Sequence, residues 1–274
     1  MSNETPSGFA QRPYNWRLLG LLVAAILVSL ILVTPYALAI QPRLKTAKLP
    51  LPLSILMPIQ WVATTVFYGV IAAAGLAIAG RIGLGLPFLE SWLAGKPDWA
   101  HLRKFVSPAV ITGVLAGIAV VVLEKGVFAP RLLAEFRQLG LKEPHFAVPR
   151  WAGFLASFEG GVTEEILLRL FVLSSLAWIG RFLNRTPEGR PGLGALWVAN
   201  VFAAVLFGMG HLPATHAATG LPVDALVITR AIALNGLLGL TFGWLYWTFG
   251  LEAAMVSHFG GDIVLHVIWP LPGY

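Results

Sequence analysis

The chain has 274 residues, of which 57% are hydrophobic and only 12% charged, whereas an ordinary soluble domain carries about a quarter charged residues. This balance, with a mean hydropathy of +0.77, argues against a soluble domain and predicts a membrane protein. Lys and Arg outnumber Asp and Glu by 19 to 13, but they are scattered between apolar runs without a basic face, so we expect no nucleic-acid partner. The absence of cysteine excludes disulfides, thiolate metal ligands and a cysteine nucleophile.

Several stretches of the sequence are long and apolar enough to cross a membrane. A spanning helix needs about 20 predominantly apolar residues. Because backbone polar groups in hydrocarbon must be satisfied within the segment, such runs favour helices over the alternating strands of a membrane barrel. The predicted fold is therefore all-α, a polytopic transmembrane bundle of about seven helices. The predicted spans lie near residues 18–40, 57–80, 105–123, 151–180, 194–211, 226–249 and 251–269.

The first predicted span has some features of a secretory signal peptide. Arg12 and Arg17 precede an uncharged run at 18–42, which contains the small-residue sequence Ala-Leu-Ala at 37–39. The run is longer than the apolar core of a usual signal peptide, so we favour an uncleaved first helix over a cleaved signal.

A short amphipathic helix is predicted between the third and fourth spans. Its apolar residues recur at helical spacing with charged residues between them, which is typical of a helix that lies at the membrane interface. The apolar residues are Leu132, Leu133, Phe136 and Leu139, and the charged ones are Arg131, Glu135 and Arg137.

Ionisable residues inside the predicted spans are the candidates for function. Such a side chain costs a few kcal/mol or more in a membrane and usually faces the bundle interior or a water-filled cavity. The candidates are Glu159, Glu164, Glu165, Arg169, His211, Arg230, Glu252, His258, Asp262 and His266.

Some of these residues have simpler explanations. We expect Arg230 to extend to the membrane interface and Glu252, in a tight turn, to be solvated. We expect His216 to lie in a loop and His266 to be an interfacial histidine near Trp269. Glu159 could line a cavity with Glu164 or simply lie near the start of its helix.

The stretch "GGVTEEILLRLF", residues 160–171, carries two adjacent glutamates. On an α-helix, Glu165 and Arg169 share a face and can pair, which reduces the cost of removing both from water. Glu164 lies about 100° around the helix and is left to point elsewhere. The alternative is that all three form a structural ion-pair cluster at a helix end.

Two later stretches carry histidines with the same spacing of four. In "FGMGH", Phe207 and His211 share a helix face, with glycines that allow close approach of a neighbouring helix. In "HFGGD", His258 and Asp262 share a face of the last span.

Together these stretches predict hydrolytic chemistry. Glu164, His211, His258 and Asp262 come from three helices and could converge in one polar pocket. A carboxylate shielded from water can exchange a proton near neutral pH, which suits a general base that activates water. Imidazoles can share that proton or stabilise an oxyanion.

The three motifs occur in order on late membrane helices. "EEILLR" fits EExxxR, "FGMGH" fits FxxxH and "HFGGD" fits HxxxN/D. The chain therefore resembles the CAAX prenyl protease and bacteriocin-processing (CPBP) family of glutamic-type intramembrane endopeptidases, over roughly residues 150–270. Residues 1–149 offer no match beyond being membrane helices.

The resemblance implies a role for each motif residue. Glu164 would be the general base and His211 would assist it in activating water. His258 and Asp262 would bind the oxyanion or the scissile carbonyl. The supporting residues are Glu165, Arg169 and Phe207.

One position departs from the family pattern. The prenyl proteases of the family have Asn where this chain has Asp262, and a carboxyl group can donate a hydrogen bond only when protonated. Asp262 could therefore be protonated, could orient His258, or could bind a metal.

We expect no cofactor, with zinc as the alternative. Two histidines and a carboxylate are acceptable zinc ligands, and Glu164, His211 and His258 would be the set. The sequence HExxH is absent, however, and the ligands would come from distant helices.

The sequence thus predicts a CAAX-protease-like intramembrane peptidase that cuts a peptide bond near or within the membrane by Glu/His-activated water. Residues 1–149 would supply N-terminal membrane helices and the interfacial segment, and 150–274 the catalytic core, in one integrated domain. The expected partners are the lipid bilayer and a membrane-associated peptide or protein, lipidated or not. The expected location is a prokaryotic cell membrane, with the chain integral and multi-pass.

Two alternatives remain open at this point. A proton- or ion-coupled membrane transporter would use the same buried acids and histidines as a relay, although the inverted repeats common in transporters are not evident. A non-catalytic membrane scaffold could also retain the fold.

Overall fold

A computed structural model describes residues 14–41, 49–141 and 148–270, and within these ranges every regular element is a helix. The prediction of an all-α fold is confirmed. The α-helices are α1 (Trp16–Ile40), α2 (Leu53–Ile82), α3 (Pro87–Leu93), α4 (Trp99–Leu123), α5 (Ala129–Gln138), α6 (Arg150–Glu159), α7 (Ser174–Gly180), α8 (Leu193–Gly210), α9 (Leu212–Thr219), α10 (Ala225–Phe249) and α11 (Leu251–Asp262). Four π-helical segments complete the set: π1 (Glu124–Phe128), π2 (Gly160–Glu164), π3 (Ile166–Leu173) and π4 (Ile263–Ile268).

Six helical stretches of the described chain are long and apolar enough to cross a membrane: Trp16–Ile40, Leu53–Ile82, Trp99–Gln138, Leu193–Thr219, Ala225–Phe249 and Leu251–Ile268. They correspond to six of the predicted spans. The remaining predicted span, 151–180, is also helical throughout, but it is divided among α6, π2, π3 and α7.

Side-chain caps explain where several helices begin. Asn15 accepts a hydrogen bond from the amide of Leu18, and Asp224 accepts one from the amide of Val227. Asp98 caps α4 in the same way. Each cap satisfies an amide that has no partner within its helix, so polar residues at these positions fix the helix starts.

Glycines allow the helices around the site to approach very closely. A Cβ atom added at Gly113 of α4 would lie 2.0 Å from the carbonyl oxygen of Ser257 in α11. One added at Gly208 of α8 would lie 2.6 Å from the Cα atom of Ile232 in α10. Backbone contact of this kind is typical of helix packing in membranes, where small residues let dispersion forces act between the helices.

The N-terminal helices pack on the helices that carry the motifs. Leu18, Leu22 and Ile26 of α1 belong to the same buried cluster as Leu170 of π3 and Phe242 of α10. The division of the chain at residue 149 stays a prediction.

The predicted amphipathic helix is present as α5. It continues from α4 through π1, so the chain is helical without interruption from Trp99 to Gln138. Phe136 is buried against Leu221 and Val227, with Leu132 packed beside them. The apolar face of α5 is therefore partly covered by the segment around α9 and the start of α10, and its place at the membrane interface stays a prediction.

Three sequence expectations about individual polar residues were wrong. Arg230 does not extend to the interface: it is 4% exposed, and its Nε donates to Glu124 at 2.8 Å. Glu252 is buried rather than solvated, and it accepts a hydrogen bond from the amide of Leu89 at 2.9 Å. His216 lies in α9, with its Nδ1 2.6 Å from the carbonyl oxygen of Leu221.

Candidate active site

The paired glutamates lie in π-helical backbone. Glu164 ends π2, and Glu165 joins π2 to π3 within a helix that runs unbroken from Arg150 to Gly180. π-Helical turns close hydrogen bonds from residue i to i+5, are rare, and occur frequently at functional sites. The ordinary α-helical spacing therefore does not describe which way these side chains point.

Glu165 lies at the centre of the site and is fully buried. Its Oε1 atom is 2.9 Å from a guanidinium nitrogen of Arg169 and 2.7 Å from Nδ1 of His258. The predicted contact with Arg169 is present, and the contact with His258 is an addition that the sequence did not reveal. Since a carboxylate accepts, Nδ1 of His258 carries the proton of this hydrogen bond, and Nε2 is directed to the opposite side of the ring.

Arg169 connects Glu165 to α10 and to two aromatic rings. Its NH2 group donates to the carbonyl oxygen of Gly239 at 3.1 Å. The guanidinium lies 5.0 Å from the ring centre of Phe207 and 5.3 Å from that of Phe242. These cation–π contacts help to compensate for the removal of the charge from water.

The imidazole of His258 is held by rings as well as by Glu165. It stacks on Phe242 with the ring centres 4.5 Å apart, and Phe207 meets it at 5.6 Å in an edge-on arrangement. Its Nε2 atom lies 3.6 Å from a carboxylate oxygen of Glu164 and 3.6 Å from one of Asp262.

The two adjacent glutamates have different environments. The side chain of Glu164 is 26% exposed, whereas that of Glu165 is fully buried. Glu164 thus reaches the cavity, and Glu165 lies behind His258.

His211 follows the last residue of α8. Its Nδ1 is 2.8 Å from the carbonyl oxygen of Phe207, and its ring meets the Phe207 ring at 4.9 Å. The carbonyl can only accept, so Nδ1 carries the proton and Nε2 is available to exchange one.

A cavity of about 380 Å³ brings the predicted residues together. Glu164, Phe207, His211, His258 and Asp262 all line it. Glu165 and Arg169 do not line it and support His258 from behind. The cavity is also lined by Glu159 and His266, which were among the sequence candidates, and by Tyr36, Tyr68 and Asn235, which the sequence did not single out.

His266, which was expected to be an interfacial histidine near Trp269, borders the cavity. Its Nδ1 is 3.2 Å from the hydroxyl of Tyr36, and its Nε2 is 3.9 Å from Asp262. Its position four residues after Asp262, on the same helix face, could have indicated this location from the sequence. Tyr36 gave no signal, because a single tyrosine in an apolar span is unremarkable in sequence.

Glu159 lines this cavity together with Glu164, which was one of the two positions that the sequence left open for it. It accepts a hydrogen bond from the hydroxyl of Thr163 in the following turn. The cavity therefore contains a third carboxylate besides Glu164 and Asp262.

Gly160 allows the helix of the paired glutamates to lie against α11. A Cβ atom at this position would be 2.6 Å from a carboxylate oxygen of Asp262 and 2.9 Å from Nε2 of His258. Any larger residue would push both side chains out of their present positions.

Within residues 14–41, 49–141 and 148–270, no three His, Asp or Glu side chains meet in an arrangement that could hold a metal ion. The expectation of no cofactor, with Glu164, His211 and His258 as the alternative zinc ligands, stays a prediction.

Comparison with known proteins identifies one family. Residues 146–264 match the sequence model of the family described as Rce1-like, type II CAAX prenyl endopeptidase Rce1-like. The matched region contains all three motifs, and the resemblance inferred from them is confirmed. No curated protein and no solved structure matches the chain.

The different environments of the two glutamates predict different effects on stability. Glu165→Gln removes the charge that compensates buried Arg169, so we expect it to lower the free energy of unfolding by about 3 kcal/mol. Glu164→Gln alters a partly exposed side chain, and we expect a loss below about 1 kcal/mol. Unfolding of the two purified variants in detergent measures this difference, and equal losses would contradict the assignment of Glu165 as the buried partner.

Proposed function

Since residues 146–264 match the sequence model of the Rce1-like family of type II CAAX prenyl endopeptidases, we propose that this protein hydrolyses a peptide bond near or within the membrane by Glu/His-activated water. The family is one of proteases, and its membrane character agrees with the six apolar helical stretches, so the chain is an integral, multi-pass membrane protein. The observation that carries the finer proposal is the convergence of Glu164, His211 and His258 on one cavity.

Glu164 acts as the general base. It is the member of the glutamate pair that reaches the cavity, so its carboxylate can accept a proton from a water molecule there. The water oxygen attacks the scissile carbonyl carbon as its proton passes to Glu164. His211, with Nε2 available, shares that proton and delivers it to the leaving amine as the carbon–nitrogen bond breaks.

His258 stabilises the oxyanion. Its Nδ1 proton is held by Glu165, so the ring cannot rotate without breaking a buried hydrogen bond. In its doubly protonated form, Nε2 donates to the oxyanion from a fixed position, and such preorganised donors contribute strongly to catalysis. Asp262, 3.6 Å from Nε2, orients the imidazole on the cavity side.

The substrate is a peptide segment of a membrane-associated protein. The cavity is lined by residues of α1, α8 and α11 and lies within an apolar bundle. A substrate that enters it is therefore expected to be associated with the membrane. The family description supports a substrate with a prenylated C-terminal segment, and we extend this to lipidated membrane peptides as a class.

Loss of the base or its histidine partner should abolish cleavage. We expect Glu164→Gln and His211→Ala each to reduce the rate by about 10²–10⁴-fold, which is the usual contribution of general acid–base catalysis. Cells that express the wild-type protein or each variant are compared by mass spectrometry of new peptide termini in their membranes. His216→Ala in α9 is a control that removes a histidine outside the cavity. Termini that persist in either cavity variant would refute the assigned roles.

Two substitutions of Asp262 separate the effect of its charge from the effect of its side chain as a neighbour of His258. Because the family pattern includes Asn here, an amide fits the site, and we expect Asp262→Asn to retain cleavage within about tenfold, as for a modest positional change. Asp262→Ala leaves His258 without its cavity-side neighbour, and we expect a loss of about 10²-fold. The same cleavage assay measures both, and an inactive Asn variant would instead show that the carboxylate charge is essential.

Water activation by Glu164 and His211 requires no metal. We therefore expect the purified active protein to hold less than one equivalent of zinc and to keep its activity after incubation with a chelator. Elemental analysis and the cleavage assay test this on the same sample. Stoichiometric zinc whose removal abolishes cleavage and whose return restores it would overturn the metal-free mechanism.

A further inference from the structure

A second polar cavity lies at the other end of α8. The candidate active site is near His211, which follows α8, whereas this cavity is near Arg190, which precedes it. With a rise of 1.5 Å per residue, the 18 residues of α8 separate the two sites by about 27 Å. The second cavity precedes Leu193, the first residue of a stretch that is long and apolar enough to cross a membrane, so we place it near the membrane surface on that side.

Arginines dominate the lining of this cavity, which has a volume of about 250 Å³. They come from the end of α2 and from the segment that joins α7 to α8, and one carboxylate accompanies them. The lining residues are Arg81, Arg181, Phe182, Arg185, Glu188, Gly189 and Arg190. Four guanidinium groups against one carboxylate give the cavity a strongly positive potential.

The connecting segment is held in a defined shape. The amide of Thr186 donates to the carbonyl oxygen of Arg190 at 2.9 Å, and the amide of Gly192 donates to that of Asn184 at 2.8 Å. Gly189 has a φ of 81°, a conformation that glycine adopts without strain. The arginines of this segment are therefore anchored to a folded turn.

Arg181 has unused donor capacity. Its guanidinium lies over the rings of Trp178 and Phe182, at 5.4 and 5.1 Å. Within the described part of the chain its Nε atom is buried and has no hydrogen-bond partner. A buried donor of this kind is costly unless it is satisfied by a ligand or water.

The apolar side chains around the cavity favour a lipid over a free ion as its ligand. Phe182 and Leu183, next to Arg181, are 66% and 95% exposed. Arg81 also borders a neighbouring cavity of about 370 Å³, which includes Leu18, Leu76 and Leu84 in its lining. A ligand here meets guanidinium groups on one side and apolar side chains on the other, as a phospholipid does at the level of its headgroup.

We propose that the cavity bordered by Arg81, Arg181, Arg185 and Arg190 binds the headgroup phosphate of an anionic phospholipid. Guanidinium groups form paired hydrogen bonds with phosphate oxygens, which explains arginine in place of lysine at every cationic position of the lining. The bound lipid joins the end of α2 to the α7–α8 turn, at the other end of α8 from the candidate active site.

Lipid binding by the full-length chain tests this proposal. The purified protein in neutral detergent is titrated with phosphatidylglycerol as the anionic probe and with phosphatidylcholine as the zwitterionic one, and bound lipid is counted by native mass spectrometry. We expect phosphatidylglycerol to bind at least about tenfold more tightly. The variant Arg81→Gln/Arg185→Gln should weaken its binding by about 30-fold, from roughly 1 kcal/mol per cation.

A matched control separates this site from general surface charge. Arg103→Gln/Lys104→Gln also removes two exposed cations, from the start of α4 on the same side of the bundle, but neither residue lines the cavity. We expect this control to change binding by no more than about twofold, because the effect of a distant charge is screened. Both double variants should retain the unfolding temperature of the wild type, because all four side chains are exposed.

Three outcomes would overturn the proposal. Equal affinity for the two lipids would remove the anionic selectivity, and equal weakening by the two double variants would remove the site. Displacement of phosphatidylglycerol by millimolar inorganic phosphate would make the ligand a free anion rather than a lipid.

Discussion

The buried carboxylate of Glu165 holds the candidate active site together. One of its oxygens contacts both Arg169 and His258, and through Arg169 it is connected to the backbone of α10 at Gly239. Removing these charges from water costs several kcal/mol per ion, so each partner is needed to compensate the others. The same contacts fix the imidazole of His258 with Nε2 toward the cavity. The contacts of Glu165 therefore both compensate the buried charges and fix the orientation of His258 in the cavity.

Close helix packing brings the remaining polar groups to this imidazole. Gly160 leaves no room for a side chain beside His258 and Asp262, and Gly113 lets α4 lie directly against the backbone of α11. Gly153 does the same against the backbone of His266. In a membrane, helices associate through such contacts and through polar pairs, because lipid is as apolar as their side chains. The glycines around the motifs therefore determine the distances between the polar groups of the candidate active site as well as the packing.

The two ends of α8 carry opposite kinds of chemistry. Carboxylates and imidazoles line the cavity near His211, whereas guanidinium groups surround the cavity near Arg190. The first arrangement can exchange protons with water and a substrate, and the second can only donate hydrogen bonds to anions. A single rigid helix, anchored by Asn200 to the carbonyl oxygen of Leu240 in α10, keeps the two a fixed distance apart.

The sequence alone determined the helices, the motif residues and the pairing of Glu165 with Arg169. The length of an apolar run predicts a spanning helix, and a charged residue within such a run is costly enough to indicate function. The pair of Glu165 and Arg169 was predictable because residues four apart are neighbours on a helix. Only the tertiary structure decided the contacts between distant residues, such as Glu165 with His258, Glu124 with Arg230, and the approach of Tyr36 to His266. A helix that is apolar on every side gives no periodic signal for which face meets which neighbour. The π-helical turns around Glu164 also change the direction of its side chain relative to an α-helix.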